Sequence, residues 1–187
     1  MRAIIISLPK SGTYLCQNLL GVFGLHKTLI HLNGGKNNQQ YDSEKYSLGR
    51  TNSQMFRIDQ SMEDVLKNMS DNSVAATHLQ FNKKHDLLFK PFKKILVHRD
   101  LQGRTESAER WKKIRKNPVK LQGHESIMQW EGKPDVFTLQ FDDMVEVNTP
   151  VLDQLQQFLF DEIKYDSVSS MNEALAEDSL TKSEIRK

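Results

Sequence analysis

The stretch that decides the fold is Ala3-Ile4-Ile5-Ile6-Ser7-Leu8-Pro9-Lys10-Ser11-Gly12-Thr13-Tyr14-Leu15. Ala3 to Ser7 is apolar and largely β-branched, bounded by Pro9 and Gly12, which is how a buried parallel strand reads. From Thr13 onward Leu15, Leu19, Leu20, Val22 and Phe23 recur at helical spacing, and Gly24 offers a stop. The result is a strand, a tight loop and a helix. At such a junction the free N–H groups of the first helical turn point outward and the helix dipole adds partial positive charge. Gly12 lets the backbone approach an anion closely, Lys10 adds a full charge, and Ser11 and Thr13 add hydroxyl donors. The loop suits a phosphate or sulfate group; the plainer alternative is an ordinary turn with a surface lysine. It is not a Walker A loop, because Lys10 precedes Gly12 instead of following a second glycine, and this demotes a P-loop kinase or ATPase.

Outward from this loop, strands alternate with helices. Residues 32–55 are polar and turn-rich and read as a long surface loop, either a lid over an active site or a plain connector. Ser61 with Asp64 three residues on is an acidic variant of a capping box ahead of a helix. A second strand is predicted over Ser73–His78, helical residues around Leu87, Leu88 and Phe89, a third strand over Lys94–His98, and a charged helix around Gly103–Lys116. A fourth strand is predicted over Asp135–Phe141 and an amphipathic helix over Val151–Phe160. Residues 167–187 read as a helix plus a tail from about residue 175. This alternation implies a three-layer α/β/α domain with a central parallel sheet, spanning residues 1–187 as one unit.

Composition narrows the function. Hydrophobic residues make up 37% of the 187 and charged residues 27%, enough for a core and against a disordered chain. With 26 Lys plus Arg against 24 Asp plus Glu the net charge is only +2, so a general nucleic-acid binder is not expected and any anion site depends on local placement of charge. The single cysteine, Cys16, excludes an internal disulfide and a Cys-based zinc site, and reads as a small core residue. Six histidines are present, but His26 and His31, or His78 and His85, lack the spacing of a helical ligand pair, so no metal site is predicted. The N-terminal apolar run is too short for a leader and no stretch approaches a membrane span, so a cytoplasmic protein is expected. The basic run from Arg110 to Lys116, with Trp111 in it, reads as a solvated helix face, with contact to an acidic substrate or nucleic acid as the alternative.

Pro9-Lys10-Ser11-Gly12-Thr13 resembles the 5′-phosphosulfate loop, PKSGTTW, of the sulfotransferases that use 3′-phosphoadenosine 5′-phosphosulfate (PAPS). The resemblance implies that Lys10 contacts the phosphosulfate near its bridging oxygen and that Pro9, Ser11, Gly12, Thr13 and Tyr14 help hold the 5′-phosphate. The family's tryptophan, which stacks on adenine, is Leu15 here. Lys94-Ile95-Leu96-Val97-His98-Arg99-Asp100 followed by Ser107 is similar to the family's 3′-phosphate motif, a strand ending in Arg-Asp with a serine eight residues after the arginine. A guanidinium at a strand's carboxyl edge forks onto phosphate oxygens, and a helix serine turns back to donate a hydroxyl.

Between these motifs Ala75-Ala76-Thr77-His78-Leu79 is similar to the family's KTHLP stretch, whose histidine is the catalytic base. His78 ends a predicted strand at the sheet's carboxyl edge, where open α/β sheets place their sites, and an imidazole suits proton abstraction near neutral pH. The alternative is a histidine hydrogen-bonded within the core. The family's lysine before Thr-His is Ala76, its proline is Gln80, and the helix after Arg-Asp reads Leu101-Gln102-Gly103-Arg104-Thr105-Glu106, expected to be less well buried. Phe137 to Val145 is similar to a structural strand and helix of the family, with Asp143 read as a helix cap. The Arg-Lys-Gly segment has no clear match; Ser179 to Ser183 and Arg186-Lys187 are the candidates. The resemblance implies a P-loop-like sulfotransferase fold that moves a sulfuryl group from PAPS to a hydroxyl or amine of a small-molecule or glycan acceptor. His78 and Lys10 would be catalytic, no metal would be used, and the acceptor would enter over the loop after Leu32. The alternative within the same fold is a nucleotide-binding module that has lost turnover.

Overall fold

The computed structural model describes residues 1–34, 38–41, 55–115, 121 and 123–177. Strand β1 (Arg2–Ser7) leads through the Leu8–Gly12 loop into α1 (Thr13–Val22), followed by β2 (His26–Leu32), β3 (Asn38–Tyr41) and β4 (Met55–Ile58). Next come α2 (Met62–Asn68), β5 (Ser73–Thr77), α3 (Lys83–Phe89), β6 (Lys93–His98), α4 (Leu101–Arg115) and α5 (His124–Met128). The chain continues through β7 (Val136–Gln140), α6 (Phe141–Val145), α7 (Thr149–Phe160) and α8 (Ser167–Glu177). One seven-stranded sheet has the order β4-β3-β2-β5-β1-β6-β7. Strands β2, β5, β1, β6 and β7 run parallel, and β3 and β4 add an antiparallel edge.

The central strand is buried on both sides, and its alternating side chains separate two cores. Ala3 and Ile5 join Leu15, Leu19 and Leu20 of α1, Met144 of α6, Leu152 and Leu155 of α7, and Met171 of α8. Ile4 and Ile6 join Val65 and Leu66 of α2, Phe89 of α3, Ile127 of α5 and Trp130 on the opposite face. Each fully buried isoleucine is worth roughly 1.5–3 kcal/mol relative to exposure, so β1 can occupy only the middle of the sheet. Helix α1, which follows β1, covers one face, while α3, which follows β5, covers the other. Neighbouring strands that send their helices to opposite faces leave a crevice at their carboxyl ends, and Ser7 and His78 stand there.

The predicted strand at 73–78 and the helix cap at Ser61 match the structure: Ser61 Oγ accepts the Asp64 N–H at 3.1 Å. Four differences stand out. The 32–55 segment is not simply a loop, because residues 38–41 pair with β2 and β4 as part of the sheet; residues 35–37 and 42–54 lie outside the described residues. Strand β2 escapes sequence reading because a bulge breaks its alternation. Between the pairs Lys27↔Val74 and His31↔Ala76 its register shifts, with Leu29 at φ 56°, and the Thr28 hydroxyl bridges the gap to the Val74 carbonyl at 2.8 Å. Asp143 is not a cap: it lies inside α6, whose cap position is Gln140, and its carboxylate accepts from Asn148 Nδ2 at 2.7 Å. The tail begins later than expected, since residues 175–177 still belong to α8, and residues 178–187, with the Ser179–Ser183 and Arg186-Lys187 candidates, lie outside the described residues.

Trp130 links the second core to the segment after β5. It is fully buried, stacks on Phe89, meets Phe81 edge-on, and donates Nε1–H to the Leu79 carbonyl at 3.2 Å. Trp130→Ala is expected to lower unfolding free energy by about 3–5 kcal/mol in urea titrations, through the lost contacts and the unpaired Leu79 carbonyl.

Candidate functional site

The loop after β1 is held in an unusual backbone shape. Lys10 has φ 69°, and Gly12, which precedes the first helical residue of α1, has φ 87°. A Cβ at Gly12 would stand 2.4 Å from Phe141 Cδ2 and 3.3 Å from Met144 Cε. Glycine is therefore required here both by its left-handed backbone and by the ring packed beneath it. This packing adds to the expected value of Gly12, close backbone approach to an anion. Cys16 lies in the core of α1, where burial pushes its thiol pKa well up, as expected of an inert core residue.

His78 reaches this loop from the end of β5. Its Nδ1 lies 2.7 Å from the Ser7 carbonyl oxygen, a contact that requires the hydrogen on Nδ1 and leaves the lone pair on Nε2. The Ser7 hydroxyl is 3.1 Å from the same nitrogen and 2.7 Å from Thr13 Oγ1. A continuous chain thus joins His78, Ser7 and the first residue of α1. Burial lowers the pKa of His78, and the charges of Lys10 and Arg104 lower it further against the opposing effect of the Ser7 carbonyl. At neutral pH the imidazole is a neutral base. The alternative of a histidine simply hydrogen-bonded in the core captures only the Nδ1 side of the ring.

His31, set aside by the sequence reading, packs against His78 with ring centroids 4.6 Å apart. The bulge in β2 places it opposite Ala76, two residues before His78 in β5. His31 is buried and its Nδ1 has no hydrogen-bond partner among the described residues. Burial, reinforced by the neighbouring His78, pushes its pKa down to about 3. The missed signal was the bulge; no spacing rule reveals it.

Lys10 and Arg99 approach from the two neighbouring strands. Lys10 Nζ lies 3.6 Å from the centre of the Trp111 ring, so the tryptophan of α4 covers the loop lysine instead of presenting a bare stacking face. Of the basic run, Lys116 lies outside the described residues. Arg99 follows β6 and sits over Phe141 at 4.1 Å, the same ring that packs under Gly12. Gly103 leaves room for this: a Cβ there would stand 2.4 Å from Arg99 Nε. Asp100 caps α4, its carboxylate accepting the Gly103 N–H at 2.5 Å, so the Arg-Asp pair divides its work between an outward cation and a helix start. Ser107 is half-buried on α4, and Tyr14 is half-buried on α1.

One departure gains a physical basis and one expectation changes. Leu15 is fully buried in the core and offers no surface for a base to stack on. Helix α4 is less exposed than expected at its start, because Gly103, Arg104 and Ala108 are buried. Arg104 is fully buried, with Nε donating to the Pro9 carbonyl at 3.1 Å and Nη1 to His124 Nδ1 at 3.0 Å. Sequence reading registered it only as a departure. Lys94, also fully buried, is a structural cation: it pairs with Asp135 and reaches the Phe89 carbonyl at 3.4 Å. Among the described residues no group of three or more His, Cys, Asp or Glu is placed to hold a metal, and no helix is long and apolar enough to cross a membrane.

Buried neutral histidines make stability depend on pH. The folded pKa of His31 lies below its ordinary 6.5, so its contribution is fully present above pH 6.5 and is lost as pH falls toward about 3. Lowering pH from 7.5 to 4.5 should cost the wild type about 2–3 kcal/mol more than His31→Leu, read from urea midpoints at the two pH values.

No family model matches the sequence, and no curated protein matches it by sequence. The fold, by contrast, is similar to that of a crystal structure described as mouse sulfotransferase SULT7A1 complexed with PAP. The match has a TM-score of 0.53 and 13% identity over 94% of this chain and 63% of that one. This chain therefore spans less than two-thirds of that protein's length. At such identity the likeness concerns architecture, and the mostly parallel seven-stranded α/β sheet described above is of the sulfotransferase type.

Proposed function

We propose that this protein is a sulfotransferase that moves a sulfuryl group from PAPS to a hydroxyl or amine on a small-molecule or glycan acceptor. The observation that carries this reading is a neutral His78 whose Nε2 is unspent, fixed by Ser7 beside the Lys10–Thr13 loop. The residues fit the 5′ end of the nucleotide. Ser11 Oγ is buried without a hydrogen-bond partner among the described residues, and the loop carries Lys10. A hydroxyl buried and unpaired costs roughly 1–3 kcal/mol, a debt that a phosphate or sulfate oxygen would settle.

PAPS, when bound, supplies the sulfuryl group and an already activated leaving phosphate. The chain's residues do the rest. Lys10 and the α1 amides hold the negative charge that builds on the leaving side, while Arg99 and Ser107 hold the 3′-phosphate. His78 Nε2 takes the proton of the acceptor hydroxyl as it attacks in line. The hydrogen on Nδ1 stays with the Ser7 carbonyl and stabilises the imidazolium that forms. Positioning and electrostatics carry most of such a transfer.

Calorimetry with 3′-phosphoadenosine 5′-phosphate (PAP) tests the binding half. Lys10→Ala and Arg99→Ala should each weaken binding by about 10- to 100-fold, the worth of one charged hydrogen bond. His78→Ala should bind normally yet lose about 10²–10⁴ in sulfate transfer. No detectable binding to the wild type at millimolar PAP would overturn the reading, and tight binding without transfer to any acceptor would favour the inactive module. Because burial holds the His78 pKa below the ordinary histidine value, the acid limb of kcat/KM should have its midpoint below pH 6.5. A fall already complete at pH 7 would contradict this.

A further inference from the structure

Arg104 carries a positive charge that no carboxylate among the described residues pairs with. Its side chain is fully buried, and its two hydrogen bonds go to neutral acceptors, the Pro9 carbonyl at 3.1 Å and His124 Nδ1 at 3.0 Å. Because a guanidinium only donates, His124 must accept through Nδ1 and is neutral there. The remaining nitrogen, Nη2, is buried without a hydrogen-bond partner among the described residues. A buried charge costs least where an opposite charge pairs with it, so an anion would offset this one.

The guanidinium geometry says where that anion lies. Nε–H and the neighbouring Nη2–H share one edge of the planar group, the edge that forks onto carboxylate or phosphate oxygens. Since Nε–H points at the Pro9 carbonyl, the unspent Nη2–H is turned toward the same loop. A second unspent donor, Ser11 Oγ, is buried two residues from Pro9. The charges of Lys10 and Arg104 both act on His78. Two orphaned donors and two cations around one loop form a built site and not a surface accident.

We infer that Arg104 is a further anion-binding residue of this site, its Nη2 and Ser11 Oγ together receiving the phosphosulfate end of the nucleotide. This rests on the sulfotransferase reading. Arg104 then does two things: its Nε fixes the loop through Pro9, and its second donor on the same edge receives the ligand. It also keeps positive charge beside the reacting group in a place water does not reach, where such charge is least screened.

The test compares PAP with adenosine 3′-phosphate, which lacks the 5′ group, by calorimetry on wild type, Arg104→Met and Arg104→Lys. The wild type should prefer PAP, and Arg104→Met should cut that preference about tenfold or more while leaving adenosine 3′-phosphate affinity nearly unchanged. Arg104→Lys, which keeps a charge but loses the fork, should fall between them; it decides the matter if Arg104→Met does not fold. A preference unchanged in the variants overturns the inference and leaves the sulfotransferase reading standing. Equal loss of both ligands also overturns it, since that marks a purely structural arginine. Failure of the wild type to bind PAP overturns both.

Discussion

The hydrogen bond between His78 Nδ1 and the Ser7 carbonyl joins the ends of β5 and β1, and the site is organised around it. It can form because the two strands are parallel neighbours in fixed register, with Ile6 opposite Thr77, which brings the next residues of each strand side by side. The same contact selects the tautomer, orients the ring, and through the Ser7 hydroxyl connects it to the first residue of α1. The proposed base and the proposed anion loop are therefore positioned by the pairing of β1 with β5. Phe141 does a similar service on the other side, since one ring supports both Gly12 and Arg99.

A net charge of +2 gives no hint of where individual cations sit, and the structure shows why that number says little. Lys10 rests on Trp111, Arg99 rests on Phe141, and Arg104 is enclosed beneath the loop. Charges seated on rings or buried are screened less than charges in water, so a few of them outweigh many on the surface. The same field disfavours a second proton on His78, and burial does the larger part. In the proposed chemistry one arrangement both attracts an anion and keeps the base unprotonated.

Much of the fold was legible because β1 and α1 obey simple periods. Ile4, Ile5 and Ile6 announce a strand buried on both sides, and the leucines of α1 announce its inner face. The order of Lys10, His78 and Arg99 along the chain was legible too, since each stands where a strand ends. What was not legible had a physical cause in each case. The bulge at Leu29 destroys the alternation that would reveal β2, and with it the position of His31 against His78. Arg104 looks like a solvated helix residue in sequence because its burial depends on the loop and α5 folding over it. The packing role of Gly12 was not legible because Phe141, its neighbour in space, is far away in the chain.

The account stands on His78 being a neutral base with its lone pair on Nε2, and nitrogen-15 NMR of the histidine side chains reads this directly. At pH 7 the His78 signals should be those of a neutral ring protonated at Nδ1, with Nε2 unprotonated. A ring protonated at Nε2, or an imidazolium at that pH, would contradict the account, because the atom assigned to take the acceptor's proton would already hold one.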